Sequence, residues 1–105
     1  MKVVILDAAQ ADLHALRRYI VKNLSVTTWQ STFAELKDAI RNLAEFPYLG
    51  DIPPELETVH LTQYRQLLSG LNRIIYEVRG DTVYVHIIAD TRRDMQSLLM
   101  GRLVR

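Results

Sequence analysis

The pair Gly80-Asp81, set between two runs of alternating side chains, constrains this chain more than any other feature in it. Gly-Asp between β-branched and aromatic residues is the composition of a two-residue hairpin turn. It predicts strands over Arg73 to Arg79 and Thr82 to Ala89. Pairing across that turn sets Val78 opposite Val83, Tyr76 opposite Val85 and Ile74 opposite Ile87, one wholly apolar face. The other face then carries Glu77 with Tyr84, Ile75 with His86 and Arg73 with Ile88. A slip of one residue would spoil both faces. Tyr64 to Ser69 reads as a third strand joined through Gly70. Its register is open by one residue, so pattern alone leaves Arg65 facing either the core or the open side.

The first half of the chain changes period. Met1 to Asp7 is a short apolar run suited to a buried strand, and from Ala8 onward Leu13, Leu16, Ile20 and Leu24 fall at helical spacing. Asp7 is the expected N-cap. Ser25 to Thr28 breaks the pattern and supplies caps for a second helix. There Trp29, Phe33, Leu36, Ile40 and Leu43 form a seam at spacings of 4, 3, 4 and 3, extended by Phe46. Pro47 ends it, and Tyr48 to Glu57 reads as an irregular connection. Asp90 and Thr91 offer caps for a last helix whose apolar side is Met95, Leu98, Leu99 and Leu103. The fold class expected is therefore α+β. An N-terminal strand and a two-helix hairpin pack on a twisted antiparallel sheet, with a short C-terminal helix, as one domain over residues 1–105.

Composition narrows the function. With 49% hydrophobic and 24% charged residues the chain is not disordered, and 105 residues suffice for one core. The absence of cysteine excludes disulfides, thiolate metal sites and a cysteine nucleophile. The runs Val3 to Leu6 and Ile87 to Ala89 are too short to span a bilayer, and Asp7 and Asp12 interrupt any signal-peptide core; a cytoplasmic location is expected. His14, His60 and His86 lie on separate elements, so no metal site is expected. No glycine-rich phosphate loop or GxSxG turn occurs, so no cofactor is expected either.

Charge is uneven. Residues 1–59 carry six basic against eight acidic side chains; residues 60–105 carry seven basic, all arginine, against four acidic. Arginine without lysine suits planar recognition of phosphates or carboxylates, or else simple pairing with neighbouring acids. Arg92 and Arg93 stand out. At the start of the last helix they would oppose its macrodipole, so either Asp90 and Asp94 neutralise them or they face an outside partner. Arg73, Tyr84 and His86 share the mixed sheet face, which could hold a phosphate or a macromolecular surface; a lone histidine such as His86 is more often structural.

Several segments together resemble the RelE/ParE superfamily of toxin–antitoxin toxins over nearly the whole chain. They are the opening strand, Ala-Asp-Leu at 11–13, Arg-Arg-Tyr-Ile at 17–20, YRQLLSGLNRIIYEV at 64–78 and DTRRDMQSLL at 90–99. The resemblance implies a two-helix hairpin on a twisted sheet, as read above. In the RelE-like branch it implies ribosome-dependent cleavage of mRNA, for which Arg73, Arg93 and Arg65 fall at or near the family's basic positions. Leu67 and Leu99 stand where a further basic residue and a catalytic tyrosine would be. In the ParE-like branch, which the RRDM stretch and Leu-rich helix resemble more, it implies inhibition of DNA gyrase with no catalytic residue. Arg92, Arg93, Arg102 and Arg105 are then the target-binding candidates. A cognate antitoxin is implied in both, with Leu13, Leu16, Trp29 and Phe33 as its candidate contacts, and operator DNA is reached through that antitoxin. An inert antitoxin-binding relative is the third reading.

Overall fold

The computed structural model describes residues 1–103. Four strands and four helices follow in the order β1 (Lys2–Ile5), α1 (Asp7–Asn23), α2 (Val26–Asn42), α3 (Pro54–Glu57), β2 (Tyr64–Ser69), β3 (Asn72–Arg79), β4 (Thr82–Asp90) and α4 (Met95–Leu103). This is the expected α+β architecture. The sheet order is β1-β4-β3-β2, and the β2-β3-β4 meander is antiparallel, as expected. The sheet as a whole is mixed, because β1 joins the β4 edge in the parallel sense, from Lys2 opposite Thr82 to Ile5 opposite Val85. The helical hairpin supplies the long crossover that such an arrangement needs, carrying the chain from one sheet edge to the other.

Local chemistry explains the boundaries. Ser25 caps α2, its Oγ accepting the Thr28 amide at 2.9 Å. Asp7 does not cap α1: the cap position is Leu6, and Asp7 sits in the first turn, where its charge favours the helix dipole. The long connection is less irregular than expected. It holds the single turn α3, and Asp51 bridges to Gln66 beside β2. Gly50 makes that approach possible, since a Cβ there would stand 2.2 Å from the Gln66 carbonyl oxygen. Its N–H donates to the buried Tyr76 hydroxyl at 2.9 Å.

The hairpin register holds from Arg79–Thr82 to Tyr76–Val85, then shifts. A bulge at His86 puts Ile75 opposite Ile87, Ile74 opposite Ile88 and Arg73 opposite Ala89, in place of the regular pairing expected. Two consecutive residues of a bulged strand face the same side, so His86 and Ile87 share one face and Ile88 turns to the other. The result is two cores. Under α1 and α2, Ile74, Tyr76, Val83, Val85 and Ile88 pack with Ala9, Leu36, Ile40 and Leu43. On the reverse face Ile75, Ile87 and Ala89 pack with Tyr64, Leu56, Met95 and Leu99. The face expected to be open is thus largely covered by α3 and α4. Among the described residues no helix is long and apolar enough to cross a membrane.

Candidate functional site

The arginines of the second half separate into those held inside the fold and those left at its surface. Arg73 is held inside. Its guanidinium donates to both Glu55 oxygens, at 2.9 and 3.0 Å, with its side chain only 10% exposed. These bonds hold the Glu55 carboxyl below its usual range although burial pushes the other way. Register decides Arg65: it pairs with Tyr76, on the helix side of the sheet, while Arg73 pairs with Leu68 on the reverse. Arg65 donates to the Gly50 carbonyl at 2.8 Å and lies over the Tyr48 ring, 5.0 Å from its centroid. Arg65 and Arg73 therefore point to opposite faces, and Arg93 stands apart on the turn after β4. The fold does not gather the three basic residues that a ribonuclease reading requires. Leu99 is buried in the reverse core, and Leu67 packs against the helix-side core.

The mixed face around His86 is likewise engaged. His86 Nε2 and Glu77 Oε1 are 2.8 Å apart, and Arg79 donates to the same oxygen at 2.9 Å while lying 4.9 Å from the Tyr84 ring centroid. Burial pushes Glu77 up, yet the bonds from Arg79 and His86 outweigh it and leave its carboxyl below the ordinary range. Burial and the Glu77 charge push the Tyr64 hydroxyl up. Tyr64 itself meets the His86 ring edge-on at 5.2 Å.

Arg92 and Arg93 precede α4 rather than starting it, just ahead of its cap. The helix begins at Met95, and Asp94 is its cap, accepting the Ser97 amide at 3.2 Å and the Ser97 hydroxyl at 2.7 Å. Asp90 engages Arg92 through three bonds of 2.7 to 2.9 Å, which lower the Asp90 carboxyl and raise the Arg92 guanidinium. Arg93 is exposed, and among the described residues no side chain pairs with its guanidinium. Arg102 behaves differently from these two: it donates to both Asp12 oxygens, at 3.1 and 3.2 Å, and to the His86 carbonyl at 2.8 Å. Arg105 lies outside the described residues.

Beside Arg92 and Arg93 runs a groove between α1 and the C-terminal end of β4. Its larger lobe, about 400 Å³, is lined by Ala15, Leu16, Tyr19 and Ile88 with the two arginines. A second lobe of about 250 Å³ shares Leu16, Tyr19, Asp90 and Arg92 and continues towards Leu24 and Leu71. The groove exists because β1 stops at Ile5 and pairs only as far as Val85, so on that edge the last residues of β4 have no strand beside them. Tyr19, Leu24 and Leu71, all more than half exposed, supply apolar surface. Of its three carboxylates, Asp12 and Asp90 are engaged by Arg102 and Arg92, and Glu35 lines the second lobe, so the groove offers shape and apolar contact, with Arg92 and Arg93 at one end, suited to holding a partner.

Of the four apolar residues expected at a partner surface, only Leu16 lines this groove. Leu13 packs with it against the helix-side core, whereas Trp29 and Phe33 stack on each other on α2 at 5.4 Å. Tyr19 and Ala15 escaped the sequence reading. Asp12, Ala15, Leu16 and Tyr19 follow the i, i+3, i+4, i+7 spacing of one helix face, and that is the signal that could have found them.

The family model described as the ParE toxin of the type II toxin–antitoxin system parDE matches residues 3–95. A search of curated proteins returns no match. Among solved structures the chain is similar to the chromosomal ParDE toxin–antitoxin system from P. aeruginosa. That match has a TM-score of 0.71 and 15% identity over 86% of this chain and 95% of the other, a likeness of fold. The chain belongs to the ParE toxin family of type II toxin–antitoxin systems.

Proposed function

We infer that this chain acts by binding and trapping DNA gyrase in the cytoplasm, and that a cognate antitoxin neutralises it. The observation that carries this reading is the exposed Arg92–Arg93 pair on the rim of an apolar groove, Arg92 held by Asp90 and Arg93 unpaired, while the other basic candidates among the described residues are tied down. Arg73 and Arg102 are consumed by Glu55 and Asp12, and Arg65 lies on the opposite sheet face from Arg73. Binding to a large enzyme needs an accessible, complementary surface and no general base, which suits what the groove contains. The antitoxin would cover the apolar part of the same region, beginning at Leu16, and reach operator DNA on the pair's behalf.

Induction of the chain in a sensitive bacterium tests this, with growth, the DNA-damage response and mRNA integrity followed together. Arrest with filamentation, DNA damage and intact mRNA is expected. Codon-positioned cuts in mRNA would replace this reading with ribonuclease action, and unimpaired growth would make the chain an inert antitoxin-binding relative.

A further inference from the structure

Most arginines of this chain find a partner within it, from Arg41 beside Asp38 to Arg102 beside Asp12. Among the described residues, Arg17 and Arg18 on α1 make no side-chain hydrogen bond or ion pair, and neither does Lys22, one turn beyond Arg18. All three are exposed. No acidic residue stands three or four positions from any of them, the spacing at which a helix neutralises its own charges, and Arg18 and Lys22 at that spacing repel each other. The helix dipole accounts for Lys22, in the last turn, but not for two arginines ahead of it. On α2 the cations are treated differently: Arg41 has Asp38 three residues before it, and Lys37 lies over the Phe33 ring at 5.8 Å.

The unpaired cations of α1 continue the groove rim. Ala15 and Tyr19 line the groove together with Arg92 and Arg93. Arg18 and Lys22 follow those two helix residues by three positions each, which puts them in the next row of the α1 surface. Arg17 lies one row further round, beside His14 and Val21. The acids nearest the band are already used, Asp90 by Arg92 and Asp12 by Arg102. Arg18 and Lys22 stand about 6 Å apart along the helix axis, close to two steps of about 3.4 Å between phosphates on one strand of a duplex. Around them the face offers Ala11, His14 and Val21, and no large apolar anchor of the kind a protein hot spot needs. Spaced charge without an anchor suits a phosphate backbone.

We propose that this face of α1 contacts the backbone of duplex DNA held by the trapped gyrase, beside the enzyme surface met by Arg92 and Arg93. This rests on the gyrase reading above. The DNA is the target's and not the operator's, because the band runs on from the rim assigned to the target. The contact carries no sequence preference and weakens with salt.

The chain is first titrated against a duplex of about 20 base pairs and arbitrary sequence, by fluorescence anisotropy over a range of salt; the log–log slope should be about −3. Arg17→Glu with Arg18→Glu should weaken binding about tenfold or more and flatten the slope by about 2. Arg17→Lys with Arg18→Lys should restore it, since a phosphate accepts either cation. The same variants are then assayed for trapping purified gyrase on plasmid DNA and for binding gyrase without DNA. The Glu pair should trap about tenfold less well while binding DNA-free gyrase as the unaltered chain does. Equal trapping by the Glu pair, or no salt-dependent duplex binding by the unaltered chain, overturns the DNA face and leaves the gyrase reading standing. Weaker binding to DNA-free gyrase makes α1 a protein contact and overturns it too. So does unchanged trapping with weaker operator binding by the antitoxin complex. An unaltered chain that does not engage gyrase removes the gyrase reading, and the DNA face with it.

Discussion

Arg73 and Arg93 stand on the same half of one small domain and do opposite things. Arg73 lies on the sheet face that α3 and α4 cover, in a two-point pair with Glu55 and almost without solvent. Arg93 stands on the groove rim, exposed. The difference shows that residue type alone does not define a site here: burial converts one arginine into a strut and leaves another available to a partner. Arg102 belongs with the struts, because it ties α4 to α1 across the edge of β4.

The largest effect should come from breaking the covered side. Arg73→Ala leaves a half-buried Glu55 without its partner and should cost about 2–4 kcal/mol, read by urea unfolding with Trp29 fluorescence as reporter. Replacing both residues by apolar ones of similar size should restore much of this. A loss no larger than that of a surface substitution would mean that Arg73 is not a strut. Arg102→Ala comes next. It strips Asp12 and the His86 carbonyl of their donor and should cost about 1–2 kcal/mol, together with faster amide exchange along α4.

A smaller effect follows from acid. Because the Arg73 bonds depress the Glu55 carboxyl from its ordinary 4.5, its contribution is complete above that value and lost as pH falls through the lower folded one. Asp90, lowered by Arg92, acts in the same direction. Unfolding free energy should therefore hold down to about pH 5 and decline below it, and Glu55→Gln should make that decline shallower. A decline that starts nearer neutrality would point to another group.

Much of this contrast was legible beforehand. The Gly80-Asp81 turn, both long helices and the conspicuous position of Arg92 and Arg93 follow from turn chemistry, periodicity and charge. Three features did not. Ile87 and Ile88 are chemically identical, so no apolar pattern can tell which faces the helices once a bulge is inserted at His86. The Arg73–Glu55 pair joins residues 18 apart through a one-turn helix too short to show a period. The groove depends on where β1 stops, an edge property that spacing within single elements does not carry. The reverse core followed from the same gap, since the apolar side of α4 could have packed on either sheet face.

The most direct measurement replaces Arg92 and Arg93 together by alanine and follows growth arrest and thermal unfolding on the same protein. Toxicity should disappear while the fold is kept, the melting transition falling only by the small contribution of the surface Arg92–Asp90 pair. Retained toxicity, or loss of the fold alongside it, would contradict the division between struts and rim.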